Sequence, residues 1–323
     1  MTRVLLFGAG SIGGIYAYIL SRAGVHVTAV CRSNYAVVKE HGFKIASPKF
    51  GSCTVKPHAV NSVADAQGPW NYIVVCSKAF PGDRPSLADH LKSAVGPETT
   101  IALIQNGVGI ESEVAAAFPN NPILSCVVYL PTEQIQPGVI EMREEDTLEI
   151  GTFPASAPDA HKKAAADFAS VVKAGGGTSV LYDDIQGRRW HKLLINASWN
   201  PICAISRSTD VDFLRSTPQS VDYVRSVIME IVSVARALGH TEIDEAMAQK
   251  QLDRALGREK GITVSMLADA LEDRKMEVEA IVGNTVRIAQ SVGVKTPLLD
   301  VLYILLKALD DSTARLRSAA SKG

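Results

Sequence analysis

The run RVLLFGAGSIGGIYAYILSRAG, starting at Arg3, constrains the fold more than any other stretch of this chain. An apolar, strand-like segment leads directly into Gly8, Gly10, Gly13 and Gly14, and these lead into a helix-like segment. Strand, tight turn and helix in that order are the setting in which GxGxxG cradles a dinucleotide. Gly8 permits the sharp turn, Gly10 lets backbone N–H groups approach a pyrophosphate, and Gly13 lets helix pack on strand. Ser11 and Ile12 open the helix, whose N-terminus faces the phosphates. The uncharged run from Val4 to Ser21 could also pass for a signal peptide or short membrane span. The glycines argue otherwise, because they weaken a hydrophobic helix and suit a turn. Neither targeting nor a membrane partner is expected.

The second strand, HVTAVC, bears on which dinucleotide. NAD enzymes usually end this strand with Asp or Glu, about 20 residues past the glycines, to meet the ribose 2'-hydroxyl. Here it ends in Cys31, Arg32 and Ser33. Arg32 can pair with a 2'-phosphate and stack on adenine, and Ser33 can add a hydrogen bond. NADP is the expected cofactor.

Further apolar runs, NYIVVC, TIALIQ and ILSCVVYL, alternate with helix-like stretches, the pattern of a mostly parallel sheet with crossover helices. GVIEM and TLEIGT, separated by REED, read as an antiparallel hairpin, and TSVLYD as one more strand. From about Asp184 long periodic segments follow with no strands between them: 186–206, 221–238, 243–256, 270–292 and 298–311. The tail from Ser312 reads as loosely ordered. The expected architecture is therefore an α/β Rossmann-type domain over residues 1–183, binding NADP, and an all-α substrate domain over residues 184–323. With 323 residues, two domains is also the simple prior. A net charge of -1 provides no broad basic field for nucleic acid or an anionic membrane. Five scattered cysteines form no metal-ligand spacing and suit a reducing compartment, so a cytoplasmic protein without a metal is expected.

The phrase WHKLLINASWNPICAI places Lys192, Asn196 and Asn200 at four-residue intervals on one helix face. On an otherwise apolar helix these groups either meet a ligand, or cap nearby backbone while Lys192 reaches solvent. His191 points about 100° away and reads as a packing or surface residue. Lys78 and Asn106 follow strands at the carboxyl edge of the sheet, where ligands of open α/β sheets bind.

Taken together, the chain resembles the ketopantoate reductases. That family combines GxGxxG, an NADP-type arginine, a strand-end lysine, an NG loop and a K-x3-N-x3-N-P helix. The matching residues are Gly8 to Gly13, Arg32, Lys78, Asn106, and Lys192, Asn196, Asn200 with Pro201. A later S-M-L-x-D segment and a glutamate twelve residues after its serine match Ser265, Met266, Leu267, Asp269 and Glu277. The resemblance implies NADPH-dependent reduction of 2-dehydropantoate to pantoate. It implies Lys192 as general acid, Glu277 as partner at the reacting oxygen, Asn196, Asn200 and Ser265 as substrate contacts, and Lys78 and Asn106 on the cofactor and substrate side. The chemistry agrees, since hydride arriving at a ketone carbon creates an alkoxide that an ammonium can both stabilise and protonate.

Two departures bear on the substrate. Asp210 stands where the family often has asparagine, and a carboxylate suits a 2-oxo acid site badly unless it is turned away or paired. The segment EDRKMEVEA around Glu277 is also unusually charged. Alternative functions are reduction of another 2-oxo acid or a specialised-metabolite ketone, and NADPH-binding regulation without catalysis. The partner expected is a small 2-oxo acid, with the helical domain also admitting a homodimer. Finally, a straight helix would separate Ser265 from Glu277 by about 18 Å. If both serve one small acid, the chain must bend near Asp269 to Asp273.

Overall fold

The computed structural model describes residues 1–143 and 146–320. The chain divides into two units: Met1–Lys78, Asp83–Gln105 and Ile110–Gln186 make one, while Ala79–Gly82, Asn106–Gly109 and the chain from Gly187 onward make the other.

The first unit runs β1 (Arg3–Phe7), α1 (Ser11–Arg22), β2 (His26–Val30), α2 (Tyr35–His41), β3 (Phe43–Ser47), β4 (Gly51–Val55), β5 (His58–Val60), β6 (Tyr72–Val75), α3 (Leu87–Leu91), β7 (Thr100–Ile104), α4 (Ser112–Ala117), β8 (Ile123–Tyr129), β9 (Thr132–Gln136), β10 (Val139–Met142), β11 (Thr147–Thr152), α5 (Asp159–Ala174) and β12 (Ser179–Leu181). Its main sheet has eight strands in the order β12-β11-β8-β7-β6-β1-β2-β5. Neighbours are parallel except β8 and β11, so the sheet is mixed. Every residue of β7 is buried, as expected of a strand covered on both faces. From β1 the chain passes to β2 on one side and later returns to β6 on the other, which makes the carboxyl end of β1 the topological switch point.

A second, four-stranded sheet in the order β4-β3-β10-β9 was not foreseen. It also corrects the expected GVIEM–TLEIGT hairpin. GVIEM supplies β10, which pairs with β3 and β9, whereas TLEIGT forms β11 between β8 and β12 of the main sheet. The burial patterns explain the split. Along β10 burial alternates, as in a strand with one covered face, while β11 is buried almost throughout. Asp146 lies just before β11 and is fixed there, accepting from Lys49 Nζ at 2.8 Å and Thr178 N at 3.1 Å.

The second unit is helical: α6 (Gln186–Ser206), α7 (Asp210–Ser216), α8 (Ser220–Ala237), α9 (Glu245–Leu256), α10 (Ser265–Leu271), α11 (Asn284–Ser291) and α12 (Pro297–Ala320), with one π-helical turn over Glu279–Gly283. Its core gathers buried faces of α6, α8 and α12, among them Leu193, Leu194, Ile228, Ile231, Leu299 and Leu306. The α/β class of the first half and the helical class of the second are those expected. Two details differ. The helix expected over 270–292 is interrupted, because α10 ends at Leu271 and Asp273 has a φ of +52°. The tail expected to be loose continues α12 through Ala320, anchored by buried Thr313. No described helix is long and apolar enough to cross a membrane.

Candidate active site

In the first unit the fingerprint glycines stand in three different settings. Gly8 has a φ of +100°, and a Cβ there would lie 2.2 Å from the backbone nitrogen of Ser77, at the end of β6. A Cβ on Gly13 would lie 2.1 Å from the carbonyl oxygen of Gly8, so helix and strand touch through it. Gly10 has nothing within 4 Å of that position and faces open space. As N-cap of α1 it supplies no side-chain cap, and the first turn holds no acidic residue. Ser11 and Ile12, both half-buried, begin that turn. Uncapped main-chain amides beside open space, at the positive end of a twelve-residue helix, fit a bound pyrophosphate.

Arg32 and Ser33 are exposed in the turn after β2, with no acidic residue between Val30 and α2. This fits a 2'-phosphate better than a ribose hydroxyl. Sequence reasoning missed the next residue, Asn34. It is buried and donates to the carbonyl of Ala9, inside the glycine turn, at 2.7 Å. Cys31 is buried as well, and its burial pushes the thiol up to about 12. Burial, reinforced by Cys126, also raises the Cys76 thiol, leaving it protonated and unreactive beside the turn. Lys78 is exposed at the last position of the segment following β6 that belongs to this unit.

In the second unit Lys192 and Asn200 of α6 have separate partners. Lys192 is half-buried, and its Nζ donates to Oδ1 of Asn106 at 2.8 Å. Asn196 is half-buried and its side chain makes no hydrogen bond among the described residues. Asn200, 3% exposed, uses its Oδ1 to accept from Met266 N at 3.2 Å and from Ser265 Oγ at 3.3 Å. It thereby caps α10, whose own N-cap residue, Val264, has no side chain able to do so. The spacing-based reading of Asn200 as a polar face residue thus includes the capping alternative.

The loop carrying Asn106 is fixed from several directions. Arg189, buried one turn before Lys192, donates to the Gly107 carbonyl at 3.0 Å. Asn284 Nδ2 donates to Val108 O at 2.7 Å, and Val108 N donates to Ala280 O at 3.1 Å. Gly107 has a φ of +97°, and a Cβ on it would come within 2.3 Å of Ala280 O. Three residues before Ala280 lies Glu277, 6% exposed, whose carboxylate accepts from Ala79 N at 2.8 Å. Two residues before it in the chain, Lys275 lies over the ring of Phe80, 4.4 Å from its centroid. The loop therefore brings Lys192 and the Glu277 segment into one neighbourhood. The π turn that follows Glu277 is a form of helix distortion frequent at functional sites.

The bend sought between Ser265 and Glu277 exists. After α10 ends, Arg274 N donates to Asp269 O at 2.8 Å and Arg274 Nε pairs with Asp269 Oδ1 at 3.0 Å, reversing the chain before Glu277. Within EDRK, Arg274 also pairs with Glu272, so two of the four charges are matched locally. Asp210 is 1% exposed and paired with Arg258; its Oδ1 also accepts from Ile262 N at 2.7 Å. This carboxylate holds the loop before α10 and is neutralised there. Among the described residues no group of three or more His, Cys, Asp or Glu could hold a metal ion.

Two family models match the chain, Ketopantoate reductase PanE/ApbA over residues 4–155 and Ketopantoate reductase PanE/ApbA C terminal over residues 184–310. This chain belongs to the ketopantoate reductase family. It is accordingly an oxidoreductase with a Rossmann-like first half. The crystal structure of 2-dehydropantoate 2-reductase from Methylococcus capsulatus is similar with a TM-score of 0.83 and 32% identity, covering 96% of this chain and 97% of that one. A 2-dehydropantoate 2-reductase of Nostoc is 29% identical, with 95% of each chain covered. An uncharacterized protein of Saccharomyces cerevisiae is 32% identical over 95% of this chain and 93% of its own. A D-mandelate dehydrogenase, solved with NADH and anilino(oxo)acetate, shares the fold at a TM-score of 0.85 with 21% identity.

Proposed function

We propose that this ketopantoate reductase family member uses NADPH to reduce 2-dehydropantoate to pantoate, with Lys192 as general acid. The observation that carries this reading is the 2.8 Å bond from Lys192 Nζ to the neutral Oδ1 of Asn106, on a loop fixed by Arg189 and Asn284. An ammonium oriented by a neutral acceptor keeps its charge and a proton to give. The backbone amides after Gly8 and Gly10 would hold the pyrophosphate and Arg32 and Ser33 the 2'-phosphate, and Lys78 and Asn106 are the further cofactor contacts of this reading. Bound NADPH supplies the hydride. As negative charge grows on the keto oxygen, Lys192 stabilises it and transfers its proton there, becoming a neutral amine that solvent reprotonates. Glu277 is the partner at the reacting oxygen and the lysine. Asn196, Asn200 and Ser265 are the substrate contacts: the carboxylate takes the amide N–H groups of the two asparagines, and the Ser265 hydroxyl, which donates to Asn200 Oδ1, holds that amide in place. Residues 1–183 form the cofactor domain in this reading, and residues 184–323 the substrate domain.

The test mixes purified protein with NADPH or NADH and a panel of 2-oxo acids and follows nicotinamide absorbance. The expected outcome is fastest turnover of 2-dehydropantoate with NADPH, and a smaller NADPH preference in Arg32→Ala. Faster turnover of another keto acid would reassign the substrate. Tight NADPH binding with no turnover of any of them would make the chain a cofactor-binding regulator.

A further inference from the structure

Asn34 occupies the N-cap of α2, where an asparagine side chain ordinarily accepts from the first turn of its own helix. Here it makes no such cap. Both bonds of its amide nitrogen leave the helix instead. Nδ2 donates to the carbonyl of Ala9, between Gly8 and Gly10, at 2.7 Å, and to Oε1 of Gln134 on β9 at 3.1 Å. The residue is 5% exposed, and its bond to Ala9 is buried and costly to lose, while the bond to Gln134 is part-buried. Gln134 is itself held, its Oε1 accepting from Gly138 N at 3.3 Å. Gly138 in turn accepts from Lys44 N at 2.8 Å, and a Cβ on it would stand 3.1 Å from Val37 of α2. The small sheet thus braces the turn after β2, and Asn34 ties that turn to the glycine turn.

We propose that Asn34 is a positioning residue for cofactor selection, with Gln134 orienting its amide. The inference rests on the NADPH reading above. Arg32 and Ser33 lie on the same short turn as Asn34, immediately before it. The bond to Ala9 therefore sets the spacing between the pyrophosphate site and the 2'-phosphate site. A ligand with phosphate at both places gains from that fixed spacing, because less ordering is needed on binding. NADH, lacking the 2'-phosphate, gains little. Replacing Asn34 with aspartate keeps its size but turns acceptor oxygens toward the Ala9 carbonyl and Gln134 Oε1, and adds negative charge near the 2'-phosphate.

The experiment is fluorescence titration of purified protein with NADPH and with NADH, without substrate, so that it reads binding alone. Asn34→Ala should raise the Kd for NADPH about tenfold and that for NADH no more than about threefold, the scale of one lost buried bond. Asn34→Asp should widen that gap further. Gln134→Ala, a half-buried position far less exposed to folding failure, should shift the ratio about two- to threefold in the same direction. Equal rises for both cofactors, or an unchanged ratio in all three variants, would overturn the role in selection while leaving the NADPH reading standing. A wild type that binds both cofactors equally would overturn that reading and this inference with it.

Discussion

At the turn between β1 and α1 the glycines leave the main chain bare, and the groups offered to a ligand are backbone amides. Around Lys192 the groups on offer are side chains, and the backbone serves to aim them through Arg189, Asn284 and Val108. The two constructions suit two tasks. A phosphate needs several donors at close range and tolerates no Cβ in the way, whereas proton transfer needs one titratable group held in one direction. Small volume changes should therefore be severe at the turn through binding, and at the loop around Asn106 through rate.

The largest effect is expected for Gly13→Ala. The added methyl meets the Gly8 carbonyl, which is backbone and cannot step aside, so helix and strand must part. NADPH affinity should fall about a hundredfold or more, the scale of a core overpacking of up to about 3 kcal/mol. Calorimetric titration measures it, and an affinity near wild type would contradict the turn as described.

Gly107→Ala sharpens the other side. Its methyl meets Ala280 O, so the loop must shift and the bond between Asn106 and Lys192 is disturbed. Here kcat should drop about tenfold while NADPH affinity stays within about twofold, as for a group that acts on the chemical step. If affinity fell and kcat held, the two regions would not differ as argued.

How much of this was legible in the sequence follows from the same contrast. Backbone-built features announce themselves locally: the spacing of Gly8, Gly10 and Gly13 after an apolar strand identified the turn, and fully buried strands such as β7 showed as continuous apolar runs. The four-residue spacing of Lys192, Asn196 and Asn200 put them on one helix, but their partners lie as many as 86 residues away in the chain. The small sheet stayed hidden because β4 and β9 are short and largely exposed and carry little apolar signal. Asn34 carries no signal in the sequence, since nothing local shows that its amide reaches Ala9. Asp210 looked misplaced for the substrate until Arg258 was found beside it.

The smallest effect concerns the thiols, which both regions bury away from their chemistry. Burial pushes Cys31 in the first unit and Cys203 in the second up to about 12. At pH 8 their thiolate fraction is then about 10⁻⁴, so alkylation of native protein should leave both nearly untouched. The folded state holds these protons above the ordinary thiol value of 9.0, so stability is full below that pH and falls as pH rises toward 12. Denaturant midpoints measured from pH 8 upward should show the decline. A flat profile, with rapid labelling of both residues, would contradict their burial.

The division of labour itself is tested most directly by Lys192→Ala, with NADPH affinity and single-turnover reduction of 2-dehydropantoate measured on the same preparation. The expected result is an affinity within about twofold of wild type and a rate lower by about 10² or more, the usual scale for loss of a general acid. A rate near wild type would remove Lys192 from the chemistry. A large loss of affinity would show that the lysine serves the cofactor instead.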